Sequence, residues 1–339
     1  MPALVVLAAC ALFAAGCNPS RKVTVPQLLA PVAEADTQQL VAEVNRLAAV
    51  RSLRGKVDIQ FLDTSFAKCG IVEKYSTADG DVALQRPGQI RFVIQIPFIG
   101  SDVAQMTSDG QRFAVAVLKG DEKYRQFVRG SNEGNYGRVE GGAAEPDCGN
   151  GRNREQAMNT RTVSALSGLR PQHLTDALLV PALATGDPNL LYARAESFEE
   201  ELDTRPNAKR GTRVVRPYYI LAEIAPAGAG RARIMRRFWF DRYERVRLAR
   251  IQTYDAEDRL ITDVVYRDQK SFGEEGRYSL PATIEITRPQ DRYSLRISYQ
   301  APEAVRVDQP LRNDAFDLKN DWNLPEVDLD KRANPGSDK

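Results

Sequence analysis

Over most of this chain, apolar residues fall at every second position. Val57, Ile59 and Phe61 alternate with Lys56, Asp58 and Gln60; Ile90, Phe92, Ile94 and Ile96 follow the same period, as do Phe113, Val115 and Val117. A period of two sends successive side chains to opposite faces, so these segments predict antiparallel strands with one buried face. Asp109-Gly110 is a hairpin signal, and Tyr124, Gln126 and Val128 suggest one further strand. The C-terminal half repeats the pattern over 218–224, 234–240, 246–254, 260–267, 282–288 and 292–299, with short turns such as 255–258 between most of them. Two stretches change to helical spacing. Leu40, Val41, Val44, Leu47 and Ala48 share one face after a cap at Asp36 or Thr37. A second helical stretch spans about 162–183, with Pro171 suited to a first helical position and Leu174, Ala177 and Leu178 as its stripe.

A sheet of about ten strands curls, and its concave apolar face then needs cover. The helical segments 37–51 and 162–183 can form a lid. The expected fold is mainly β with a helical lid, in the α+β class, its curved antiparallel sheet enclosing an apolar cavity. Val57, Ile59, Phe61, Phe92, Ile94, Phe113, Val115, Phe238 and Ile251 are the candidates to line it, subject to strand register, since a slip of one residue inverts a face.

The flanks have a different character. Residues 1–17 carry no charge, and Ala3–Ala15 is too short an apolar run to span a bilayer, so residues 1–16 read as an export signal. Gly16-Cys17 at its end resembles a bacterial lipoprotein signal, in which the Cys takes the lipid, although position −3 is Ala14 and no Lys or Arg precedes the run. Residues 17–35 read as a Pro-containing tether, 36–302 as a single domain, 130–160 as a long mobile insert, and 303–339 as an acidic, Pro-containing tail ending in disorder.

Composition narrows the chemistry. Lys and Arg number 47 against 45 Asp and Glu, a net +2, which is not the basic excess of a nucleic-acid binder. The only histidine, His173, excludes multi-His metal sites and reads as a packed or surface residue. Ser65-Phe66-Ala67-Lys68 lacks the companion motifs of an acyl-enzyme, Gly149-Asn150-Gly151 lacks the third glycine of a dinucleotide turn, and 255–258 is too short for a calcium loop. No catalytic residue, metal or cofactor is expected. Cys69 and Cys148 are the thiols left beyond the signal, and an oxidising compartment favours a disulfide between them. Between Gly228 and Arg250, Arg231, Arg233, Arg236, Arg237, Arg242, Arg245, Arg247 and Arg250 face only Asp241 and Glu244, a local +6. That strip reads either as the solvated side of the meander or as a surface for anionic headgroups or an acidic partner. Glu196, Glu199, Glu200, Glu201 and Asp203 read as a loop or an exposed helix end.

Three short motifs carry a resemblance. Leu84-Gln85-Arg86-Pro87-Gly88-Gln89-Ile90-Arg91, Ser108-Asp109-Gly110-Gln111-Arg112-Phe113 and Leu280-Pro281-Ala282-Thr283-Ile284, in a helix, meander, helical insert, meander order, resemble the LolA/LolB family of periplasmic lipoprotein carriers and receptors over about 37–300. The resemblance implies an unclosed half-barrel whose cavity accepts acyl chains, with lipoproteins as cargo and a periplasmic carrier as a further partner. Cys17 favours the lipid-anchored receptor type. By resemblance to enterobacterial sorting, Asn18 directs it to the periplasmic side of the outer membrane. In Pro97-Phe98-Ile99-Gly100-Ser101, Phe98 and Ile99 match the position of an apolar residue that projects toward the membrane in the receptor. The rival reading is a structural envelope lipoprotein that binds a protein partner or the cell wall and carries no lipid, its sheet filled by its own side chains.

Overall fold

The structure is a computed structural model that describes residues 25–333 apart from 64–75, 98, 121, 123–124, 135–169 and 229. Its strands are β1 (Gln27–Leu28), β2 (Ser52–Asp63), β3 (Ser76–Gln85), β4 (Gln89–Gln95), β5 (Asp102–Asp109), β6 (Arg112–Val117), β7 (Phe127–Ser131), β8 (Leu191–Leu202), β9 (Arg213–Pro226), β10 (Ala232–Asp241), β11 (Arg247–Tyr254), β12 (Leu260–Phe272), β13 (Tyr278–Arg288), β14 (Tyr293–Tyr299), β15 (Arg306–Val307) and β16 (Glu326–Asp328). Three α-helices accompany them: α1 (Thr37–Ala48), α2 (Pro171–Leu178) and α3 (Leu329–Ala333).

All the strands join one sheet. From β8 at one edge the order runs β9-β10-β11-β12-β13-β14-β2-β3-β4-β5-β6-β7-β16, with β15 on β2 and β1 on β9. Most neighbours are consecutive hairpins, as a meander requires. The two halves are stitched where β14 meets β2, pairing Ile297 with Ile59 and Leu295 with Phe61. Among the described residues the sheet does not close, since no pairing joins β8 to β16. The predicted turn at Asp109-Gly110 is formed: Gly110 takes φ +100°, and the Asp109 carboxylate accepts from the amides of Gln111 at 2.8 Å and Arg112 at 2.7 Å.

The period-two pattern sets the core. One continuous apolar cluster takes the concave side of β2–β6 and β9–β14, together with Leu40, Val44 and Leu47 of α1 and Leu174 and Ala177 of α2. The fold class read from the sequence is the one observed.

Three boundaries differ from expectation. The acidic segment 196–201 is neither loop nor helix end but part of β8, paired with β9 from Leu191↔Ile224 to Leu202↔Arg213. The described part of the tether is docked: Gln27 and Leu28 pair with β9 in parallel, and Leu29 is buried. The segment after 302 is built into the sheet as far as α3. β16 runs parallel to β7 with Val327 opposite Val128, and Phe316, Leu324, Val327 and Leu329 are buried. The expected helix over 162–183 is observed as α2 alone among the described residues, and most of the 130–160 insert lies outside them.

A closed apolar site under the helical lid

Each lid helix is fixed by a few identifiable contacts. α1 begins with a capping box: Asp36 accepts from the Gln39 amide at 2.8 Å, and the Gln39 side chain accepts from the Asp36 amide at 2.8 Å. Its Arg46 donates to the Ser279 carbonyl at 2.7 Å, and Glu43 meets Arg247 at 3.3 Å. Pro171 opens α2 at its first turn, as the sequence predicted. The buried Tyr266 hydroxyl donates to the Ala177 carbonyl at 2.9 Å, and enclosure pushes its phenol pKa far above the usual value.

One residue clasps both helices. Arg86, in the turn between β3 and β4, donates through Nε to the Val50 carbonyl just past α1 and through a terminal nitrogen to the Val180 carbonyl just past α2, each at 2.8 Å. Burial lowers its guanidinium pKa. Asn45 Oδ1 adds a second tie by accepting from the Leu183 amide at 3.0 Å. The sequence motif placed Arg86 in a turn but gave no sign of this role, because both acceptors are backbone carbonyls.

The expected cavity-lining residues share one core. Phe61 and Val57 of β2, Ile59 between them, Phe92 and Ile94 of β4, Phe113 and Val115 of β6, Phe238 of β10 and Ile251 of β11 are all at most 5% exposed. Leu40, Val44 and Leu47 of α1 and Leu174 and Ala177 of α2 join them in that core. Among the described residues, a cavity of about 30 Å³ is lined by Leu47, Val50, Leu53, Leu178, Val180, Tyr266, Leu280, Pro281, Ile284 and Tyr299. That holds a water and not an acyl chain. The reason is energetic. An empty apolar void of ~400 Å³, a modest ligand pocket, would cost on the order of 10 kcal/mol at ~24 cal/mol per Å³, comparable with the whole stability of a domain.

A polar cluster lies along β9, β10 and the start of α2, on the lid side of the sheet. Glu223 accepts from Arg236 at 2.9 and 2.7 Å and from the Tyr192 hydroxyl at 3.0 Å. Asp176, on the exposed side of α2, lies in the field of Arg236 and Arg288. His173 Nδ1 is 3.1 Å from the Tyr293 hydroxyl. Its imidazole pKa is held well below the ordinary value by desolvation and by the nearby Arg288 and Arg170 cations. It is a partly buried histidine held against Tyr293, the packed one of the two readings the sequence left open.

Much of the arginine strip is internally matched. Arg236, Arg242, Arg247 and Arg250 pair with Glu223, with Glu34 and Glu196, with Glu43, and with Asp263, and Arg237 stacks on Tyr254 at 5.3 Å. Ile99, at the β4–β5 turn, is 73% exposed. Cys17, Cys69, Phe98 and Cys148 lie outside the described residues. No helix among the described residues is long and apolar enough to cross a membrane.

No protein-family model and no curated protein sequence matches the chain. Solved structures do. A DUF1329 family protein from Desulfovibrio piger is 13% identical over 82% of this chain and 95% of its own, with a TM-score of 0.42. A LolA superfamily protein from Nitrosomonas europaea is 11% identical over 84% and 99%, with a TM-score of 0.41. A domain from Vibrio parahaemolyticus described as an outer membrane lipoprotein-sorting protein is 10% identical over 82% and 95%, with a TM-score of 0.42. The superfamily that the turn motifs resemble is thus among the structural neighbours. All three TM-scores lie below 0.5.

Proposed function

We propose that this chain is a lipid-anchored protein of the bacterial envelope that takes acyl chains, such as those of lipoproteins bound for the outer membrane, between its lid and its sheet. The observation that carries this reading is the apolar seam where α1, α2 and β12–β14 meet: it already holds a small cavity, and polar ties such as the Arg86 clasp fasten its lid. Displacing α2 opens that seam onto the side chains of the candidate lining residues. Burial of the incoming chain, at ~25 cal/mol per Å², offsets the lost lid contacts.

In this reading Cys17 is the lipidation site, on the periplasmic side of the outer membrane, and a periplasmic carrier delivers the cargo. The exposed Ile99, with Phe98, forms an apolar tip that enters the acceptor surface during delivery. Cys69 and Cys148 form a disulfide. The decisive measurement is mass spectrometry of lipids extracted from the chain starting at residue 18, which retains every described residue. Co-purifying acyl chains, or saturable displacement of a fluorescent fatty acid, support the proposal; an empty protein that binds neither overturns it.

The core shared by sheet and lid favours a second reading, a structural envelope lipoprotein that binds a protein partner or the cell wall. On that reading no fatty acid binds, and loosening the lid lowers stability without creating a binding site.

A further inference from the structure

The hairpin of β8 and β9 outruns the rest of the sheet. β10 stops where Asp241 pairs with Tyr218, yet β9 continues back to Arg213, still paired with β8 up to Leu202. Only the two residues of β1 flank this extension, with Leu28 beside Val215. Cross-strand partners and residues two apart share a face. Phe198, Leu202, Val215 and Leu28 therefore lie on one side of the arm, the side that carries the buried Tyr219 and Leu221 further along β9. Among the described residues Phe198 is 55% exposed here, Leu202 57% and Leu28 49%, with Val25 at 75% just before β1 and Val215 partly covered, and the Glu200–Arg213 ion pair lies among them on the same face. Most of the large exposed apolar side chains among the described residues gather at this corner.

Charge divides the arm. Its carboxylates are engaged: Glu200 with Arg213, Glu201 with Arg216 and the Tyr218 hydroxyl, Asp203 with Arg205, Glu196 with Arg242, and Glu199 with the Ser197 hydroxyl. At the tip, Lys209 and Arg210 are exposed and have no partner among the described residues. The arm thus ends in free cations beside uncovered apolar side chains, the composition of a surface that meets anionic headgroups.

We propose that this corner docks on the anionic surface of the bilayer that holds the chain, with Phe198, Leu202, Leu28 and Val25 at the headgroup boundary and Lys209 and Arg210 on lipid phosphates. This placement rests on the anchoring read at Cys17. Val25 is eight residues beyond Cys17, so a lipid there confines the corner to within about 28 Å of the membrane. Ile99 lies at the opposite ends of the strands. β4 and β5 meet at their Gln95↔Asp102 end, whereas the arm extends from the ends marked by Asp241 and Arg247.

The test is flotation of the chain starting at residue 18, which lacks the anchor, with vesicles of phosphatidylcholine containing one third phosphatidylglycerol, and with phosphatidylcholine alone. Binding to the anionic vesicles that falls with salt is expected. Phe198→Glu with Leu202→Glu should weaken it at least tenfold, and Lys209→Glu with Arg210→Glu should remove the preference for anionic vesicles. Leu191→Glu, at an exposed apolar position on the far end of β8, should leave it unchanged. These positions are exposed, so the thermal midpoint serves as the folding control. Equal binding by the Phe198/Leu202 variant, no vesicle binding by the parent chain, or a parent dimer that this variant splits into monomers would each overturn the proposal, the last by making the face a contact between two copies. Fatty-acid displacement by the same variants should match the parent, which separates failure of the docking surface from failure of the acyl site. The mass of the Cys17 peptide from the full chain separates it from failure of the anchor.

Discussion

Two residues give sharp tests of the packing. Gly80 of β3 faces Val57 and Ile94 across the sheet. A Cβ there would sit 2.7 Å from Ile59 Cδ1 and 3.0 Å from the Val93 carbonyl oxygen. The backbone oxygen cannot move aside easily, so steric conflict outweighs the usual gain from replacing a strand glycine. Gly80→Ala should lower stability by about 1–3 kcal/mol, seen as a shift of the urea midpoint at unchanged slope. His173 gives a pH dependence. Its folded pKa is depressed, so below the ordinary imidazole value the unfolded chain binds more protons than the folded one. Stability from this group is therefore intact above about pH 6.5 and falls as pH drops below it, with a slope of at most ~1.4 kcal/mol per unit. His173→Gln should flatten that part of a stability–pH profile. A slope unchanged in the variant would assign the effect to other groups.

At the scale of elements, the Arg86 clasp predicts coupled behaviour of α1 and α2. Arg86→Ala leaves the Val50 and Val180 carbonyls without their charged donor, at a cost of about 1–3 kcal/mol. Amide exchange should quicken in residues 37–50 and 171–180 together, and fluorescent fatty acid should enter faster. Exchange that rises in only one helix would mean that the other is held independently. Elements also show where sequence reading worked and where it stopped. Strands such as β2, β4, β6 and β14 were legible because one face is buried and the period is clean. β8 was not: its residues are exposed or half-exposed on both faces, so Leu191–Leu202 carries no alternation, and its acidic run is what an unpaired edge tolerates. β16 and the buried Phe316 and Leu324 were missed because isolated anchors in a polar segment have no period at all. That Val57, Ile59, Phe61, Phe92, Ile94, Phe113, Val115, Phe238 and Ile251 belong to buried faces was legible. That the lid helices would share one core with them was not, because a helix stripe states which face is apolar and not how deeply it settles.

For the molecule as a whole, the described ends of the chain, from Val25 and up to α3, cover the flanks of the sheet. Val327 and Leu329 belong to the main cluster, while Leu324 joins Ala116 and Phe127 in a smaller one beside β6 and β7. Ending the chain at residue 312 removes these contacts and bares the β7 edge, which invites pairing with another chain. The truncated protein should melt lower and scatter light at concentrations where the full chain stays clear. Equal melting and clear solutions would show the C-terminal segment to be dispensable.

Failure to close has a mechanical meaning. In a complete barrel the hydrogen-bonded hoop fixes the circumference, and the interior volume with it. Here, among the described residues, no bond joins the edge strands β8 and β16, so the hoop is cut. The interior can swell by a small change of twist at each strand pair while every ladder stays intact. A guest would then meet resistance chiefly from the two helices and their few fastenings, and the wall itself would yield at little expense.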